Sequence, residues 1–201
     1  MKSLYLRSGL ALLCAATLAA CGGGSGSLVL QAGITGLNKT GLILTNGSDS
    51  VTVESGSVAV QFPTLVSDDQ QFDIEIKQQP TGAVCSVSNN KNKANYYTVA
   101  QPLVTCVTNS YNLGGKVSGL KAAGLVLANG PQTVSIAAPA TPGASVSFVF
   151  PDKVADGAPF GVTVLAQPKN PDGSPAGTCV TSNNTGTMPS GDALGLIVTC
   201  N

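Results

Sequence analysis

Apolar and polar positions alternate with a period of two along most of this chain. Phe72, Ile74 and Ile76 are interleaved with Asp73, Glu75 and Lys77, which gives a strand with one dry face and one wet face. Val51 and Val53, and then Val58, Val60 and Phe62, follow the same rule. Asn46-Gly47 and Asn129-Gly130 each follow an apolar run, where a tight hairpin turn needs positive φ angles. The chain after the first 20 residues shows no sustained helical period, so the pattern predicts an all-β protein.

The pattern also occurs twice. Ile34-Thr35-Gly36-Leu37, Gly41-Leu42-Ile43-Leu44 and Asn46-Gly47 return as Val117-Ser118-Gly119-Leu120, Gly124-Leu125-Val126-Leu127 and Asn129-Gly130, an offset of 83 positions. Val60-Gln61-Phe62-Pro63 and Gln79-Pro80 return 88 positions on, as Phe148-Val149-Phe150-Pro151 and Gln167-Pro168. Cys85, Ser88-Asn89-Asn90 and Val104-Thr105-Cys106 return 94 positions on, as Cys179, Ser182-Asn183-Asn184 and Val198-Thr199-Cys200. The growing offset places two insertions in the second copy, near Ala138 to Ala144 and near Lys169 to Pro175, where turn residues predict surface loops. With about seven short strands in each copy, the expected fold is two tandem Greek-key β-sandwiches of immunoglobulin-like or prealbumin-like type. Residues 28–109 form the first domain and 110–201 the second.

The start of the chain breaks the alternation. Lys2 and Arg7 precede Leu10 to Ala20, which is almost wholly apolar and ends in small residues. That is the layout of a secretory signal peptide over residues 1–20, carried as a short signal helix, and it is about half the roughly 20 residues needed to span a bilayer. Leu18-Ala19-Ala20-Cys21 resembles the lipobox of bacterial lipoproteins. The resemblance implies cleavage before Cys21, a diacylglycerol on its thiol and acylation, palmitate included, of the new amino group. The alternative is ordinary signal-peptidase cleavage with Cys21 left as an incidental thiol. Gly22 is not the aspartate that holds many such lipoproteins at the inner membrane, so the same resemblance points to the outer membrane of a bacterial cell envelope. Residues 21–27 read as the lipidated cysteine and a flexible tether, and Gly22 to Ser27 has an end-to-end distance on the order of 13 Å.

The repeated motifs also carry a resemblance. Gly-x-Val-x-Gly-Leu, Gly-Leu-Val-Leu, Asn-Gly, Phe-x-Phe, Gln-Pro and the late cysteine pair are similar to a repeat of proteobacterial secreted lipoproteins. Their first two-thirds is also similar to the prealbumin-like sandwiches of carboxypeptidase-regulatory and CnaB type. No Lys and Asn are placed on the first and last strands for the isopeptide bond of the latter.

Composition narrows the chemistry. Without Lys2 and Arg7 the mature chain keeps eight lysines against ten acids, a net charge near −2 with no basic case for nucleic acid. Cys14 leaves with the signal, and the four cysteines left after Cys21 allow three pairings. Only Cys85–Cys106 with Cys179–Cys200 respects both copies, each pair being 21 residues apart. An oxidising envelope suits such bridges. There is no histidine, so a Ser-His-Asp or Cys-His site cannot be assembled, and metal or cofactor binding is not expected.

A carboxylate pair of glycosidase type remains, and Asp73 and Glu75 share a strand face. The second copy has Gly161 and Thr163 there, and a solvated face balanced by Lys77 explains the pair better. Asp68 and Asp69, recurring as Asp156-Gly157, read as turn residues rather than calcium ligands. Tyr96 and Tyr97, near Lys91 and Lys93, are the candidate ligand contact, with one of the two expected to pack inward because strand neighbours face opposite ways.

The expected function is a non-catalytic, membrane-anchored envelope lipoprotein acting as an interaction or spacer module. Its partners would be the lipid bilayer, through the acyl chains, and an envelope protein or polysaccharide. A carbohydrate- or matrix-binding adhesin is the first alternative and a small carboxylate-dependent hydrolase the second.

Overall fold

A computed structural model describes residues 26–201. The signal peptide, its helix, Cys21 and most of the tether lie outside the described residues.

The described chain is all-β, with one short 3-10 turn, Thr98–Ala100. The first half contains β1 (Ser27–Leu28), β2 (Gln31–Thr35), β3 (Leu42–Asn46), β4 (Asp49–Val53), β5 (Ala59–Gln61), β6 (Val66–Ser67), β7 (Gln71–Gln78), β8 (Ala83–Ser88), β9 (Lys91–Lys93) and β10 (Leu103–Thr108). The second half follows with β11 (Ser110–Tyr111), β12 (Leu113–Ser118), β13 (Leu125–Asn129), β14 (Gln132–Ile136), β15 (Val146–Val149), β16 (Val154–Ala155), β17 (Pro159–Ala166), β18 (Cys179–Ser182), β19 (Thr185–Thr187) and β20 (Ala193–Cys200).

The pairing repeats strand for strand. One four-stranded sheet runs β5-β2-β10-β8 and the other β4-β3-β7-β9, with β1-β6 as a short ribbon. The second half has β15-β12-β20-β18, β14-β13-β17-β19 and β11-β16. In each half the central pair, β2 with β10 or β12 with β20, is parallel, and the other pairs are antiparallel. Ten strands replace the seven expected in each copy. The extra ones are two or three residues long, too short for a period-two pattern to register.

The apolar faces meet in two separate cores. Ala32, Ile34, Leu42, Leu44, Val53, Phe72, Ile74 and Val104 pack in the first, and Val117, Leu125, Leu127, Phe148, Phe150, Val162 and Val198 in the second. Fully burying one such side chain contributes about 1.5–3 kcal/mol, so each alternating strand commits several to its own core. Val58 departs from the expected alternation: it is 80% exposed. It precedes β5, and its carbonyl accepts a hydrogen bond from Ile34 N–H at 2.8 Å.

The repeated motifs hold the backbone in place. At the hairpins only glycine takes a positive φ, Gly47 at 60° and Gly130 at 57°. Each occupies the first of two loop positions, the place a type II′ turn reserves for glycine. Asn46 and Asn129 are instead the last residues of their strands. Their side-chain oxygens accept the backbone N–H of Asp73 at 2.9 Å and of Gly161 at 3.0 Å. The disulfides Cys85–Cys106 and Cys179–Cys200 join residues directly opposite in the β8–β10 and β18–β20 ladders. Both segments longer in the second copy fall in loops, between β14 and β15 and between β17 and β18.

Candidate functional site

The two halves carry the same parts at the same end and use them differently. At the end where each half begins, a short ribbon (β1-β6 or β11-β16) is followed by a turn with a positive φ at Asp69 (62°) or Gly157 (75°). Asp69 N–H donates to Ala94 carbonyl at 2.8 Å, and Gly157 N–H to Met188 carbonyl at 2.9 Å. Each turn is thereby tied to the segment after β9 or β19. Asp68 and Asp156, one position earlier, donate their N–H groups to the carbonyls of Gly26 and Asn109, the residues that lead into each half.

In the second half this pole meets the first half. Only Asn109 separates β10 from β11, and its N–H donates to Gly82 carbonyl at 3.0 Å. Lys39, on the loop between β2 and β3, donates to the Asp156 carbonyl oxygen at 2.8 Å and to its carboxylate. The pair is well covered, with side-chain exposures of 20% for Lys39 and 9% for Asp156. The hydrogen bond from Lys39, chiefly, holds the Asp156 carboxyl below its ordinary range. Gly82 lies so close that a Cβ there would sit 2.7 Å from an Asp156 carboxylate oxygen. The sequence marked Asp156 only as a turn residue. Its partner stands 117 positions away, and no local signal joins them.

In the first half the same pole, left open by the described residues, carries Tyr96 and Tyr97. Neither belongs to a strand; they lie in the turn leading into the 3-10 segment Thr98–Ala100. The expectation that one would pack inward is therefore overturned. Their exposures are 80% and 76%, and the rings meet edge to face with centroids 5.4 Å apart. Below them the turn is well fixed. Asn95 Oδ1 accepts the N–H groups of Tyr97 and Thr98 at 2.9 and 3.1 Å, and the Thr98 hydroxyl donates to Lys93 carbonyl at 2.6 Å. By the 94-residue offset, Tyr96 and Tyr97 correspond to Ser190 and Gly191 in the second half.

Beside the tyrosine turn lies an open cleft of about 790 Å³ between the β3–β4 hairpin, the loop before β6, and β7 and β9. Asn46, Asp49, Thr64, Gln70, Asp73, Lys91 and Lys93 line it, with Phe72 among the few apolar residues. Its polar groups are largely paired with one another. Thr64 hydroxyl donates to Asp49 at 3.0 Å, and Lys91 ion-pairs with Asp73 at 2.8 Å. The hydrogen bond to Asp73, reinforced by its charge, raises the Lys91 ammonium above the ordinary lysine value. Asp73 is thus balanced by Lys91 across the strand pair, rather than by Lys77 as the strand-face reading had it. The corresponding hollow of the second half, about 540 Å³, is lined by Pro131, Phe160 and Gly161 and carries one charged residue, Lys153.

Among the described residues no three His, Cys, Asp or Glu side chains group closely enough to hold a metal ion. No helix in them is long and apolar enough to cross a membrane. No protein-family model matches this chain, and no curated protein sequence matches it.

Proposed function

We propose that this protein is a non-catalytic lipoprotein of the bacterial envelope, anchored through Cys21 in the outer membrane and serving as an interaction or spacer module. In this reading its two halves are tandem Greek-key β-sandwiches of the immunoglobulin-like class, the first presenting a ligand-facing pole and the second extending the stack. The observation that carries the reading is the unequal use of one repeated pole. In the second half it is used for contact with the first half, while in the first half it is aromatic, uncovered among the described residues and next to the point where they begin.

The anchor is tested by the mass of the N-terminal peptide from membrane-extracted protein. Diacylglycerol and an N-acyl chain on Cys21 are expected; an unmodified Cys21 or an uncleaved leader would end the proposal. A hydrolase is the competing class. Equal, background rates for the protein and an Asp73/Glu75 double substitution on glycan, ester and peptide panels are expected, and a clear excess in the unsubstituted protein would replace this reading.

The polar cleft beside Tyr96 and Tyr97 supports a second reading, a carbohydrate- or matrix-binding adhesin. A glycan array probed with the full mature chain decides it, with signal lost on Tyr96→Ala or Lys93→Ala.

A further inference from the structure

We infer that the Tyr96-Tyr97 turn is a membrane-surface contact, which seats the first half against the zwitterionic headgroup layer of the bilayer that holds the Cys21 anchor. This rests on the lipoprotein reading above and adds to it a specific lipid-facing surface.

The first argument comes from the repeat itself. In the second half, the pole made of β11 and β16 meets what precedes it in the chain, the first half, through Asn109 and Asp156, and the 188–191 segment is tied beside that contact by the hydrogen bond from Gly157 N–H to Met188 carbonyl. In the first half, the equivalent pole is made of β1, β6 and the 94–97 segment, and what precedes it is the tether. At that place Ser190-Gly191 is exchanged for Tyr96-Tyr97. A pole built to meet its N-terminal neighbour has gained two exposed aromatic rings where that neighbour is the anchor.

Chain length sets the second constraint. Gly26, whose carbonyl accepts Asp68 N–H at 3.1 Å, is tied into this pole. Five residue steps separate it from Cys21. Even fully extended they reach about 18 Å, and a glycine-rich coil is on average shorter. The pole is therefore held within a short distance of the headgroups whichever way the second half points.

Side-chain chemistry supplies the third. Tyrosine has an apolar ring and a polar hydroxyl, and it concentrates at membrane–water interfaces for that reason. Leu65, half exposed in the loop before β6, adds apolar surface at the same end. Charge does not drive the contact. Lys91 is neutralised by Asp73, and Lys93 shares the region with Asp68 and Asp69. A surface of mixed charge suits ethanolamine headgroups, which present both an ammonium and a phosphate, better than a purely anionic layer.

The chain contains no tryptophan, so a single substitution makes a clean reporter. Full-length protein carrying Tyr96→Trp or Tyr97→Trp is produced with its own leader, extracted and reconstituted in vesicles of phosphatidylethanolamine with a minor phosphatidylglycerol fraction. Expected is a blue shift of the emission relative to protein in detergent-free buffer after release of the acylated peptide. Brominated acyl chains should quench it, because an interfacial indole lies at the level where the chains begin. A Val180→Trp reporter, on the exposed face of β18, should keep a water-like spectrum in both states. Acylated, vesicle-bound protein with water-like emission from both tyrosine sites overturns the docking while leaving the anchor intact. An N-terminal peptide without acyl mass overturns both.

Discussion

At the scale of single residues, the recurring motifs are answers to backbone problems. Gln79 donates to Cys85 carbonyl at 3.0 Å and accepts its N–H at 2.8 Å; Gln167 does the same for Cys179. β8 and β18 are edge strands, and an unpaired edge invites pairing with another chain. The glutamine covers part of that edge with a side chain. Gln79→Ala should lower stability by about 1 kcal/mol, since the amide groups regain some water; urea denaturation measures it, and Gln79→Glu should recover only part of the loss. Gly36 and Gly119 answer a tighter problem. At φ of 73° and 77°, a Cβ would fall 2.2 Å from the Cys106 carbonyl oxygen and 2.1 Å from that of Cys200. Gly36→Ala is expected to cost more than about 2 kcal/mol, combining left-handed strain with the clash. An unchanged urea midpoint would contradict this.

At the scale of elements, each disulfide bridges the two strands that close the parallel-containing sheet. Cys85 and Cys106 face each other across a six-residue ladder, with Cα atoms 4.0 Å apart. Each half has a core of modest size, and five phenylalanines serve both. Closing a loop of this length removes about 3 kcal/mol of unfolded-state freedom. Cys85→Ser, Cys106→Ser or reduction should therefore lower the melting temperature of the first half, and calorimetry should show the second half's transition much less changed. The ladders themselves follow from the alternation: Phe72 and Ile74 are buried while Glu75 and Lys77 are exposed. Strands of two or three residues, such as β6 and β9, carry no such signal. They are set by their neighbours' free edges.

At the scale of the whole molecule, one ion pair sits at the junction of the halves. Asp156 has its carboxyl lowered below the ordinary value of 3.8, so its contribution is present above that value and declines as pH falls through the lowered one. Docking of the halves should hold through neutral pH and loosen only in strong acid. Small-angle scattering across pH should show the maximum dimension and its spread rise there. Lys39→Met should bring the looser profile to neutral pH and flatten the dependence.

The residue pattern already carried the all-β class, the tandem copies and the cysteine pairing. Pleat periodicity is local, and a pattern written twice can be compared with itself. It did not reveal that Asn46 spends its side chain on the neighbouring strand, or that Val58 turns outward. Nor did it place Tyr96 and Tyr97 together in water. Tertiary structure alone decided those, along with the Lys39–Asp156 contact, because each depends on which distant segments the folded sheets bring to one end. The alternation specifies faces; only packing specifies poles.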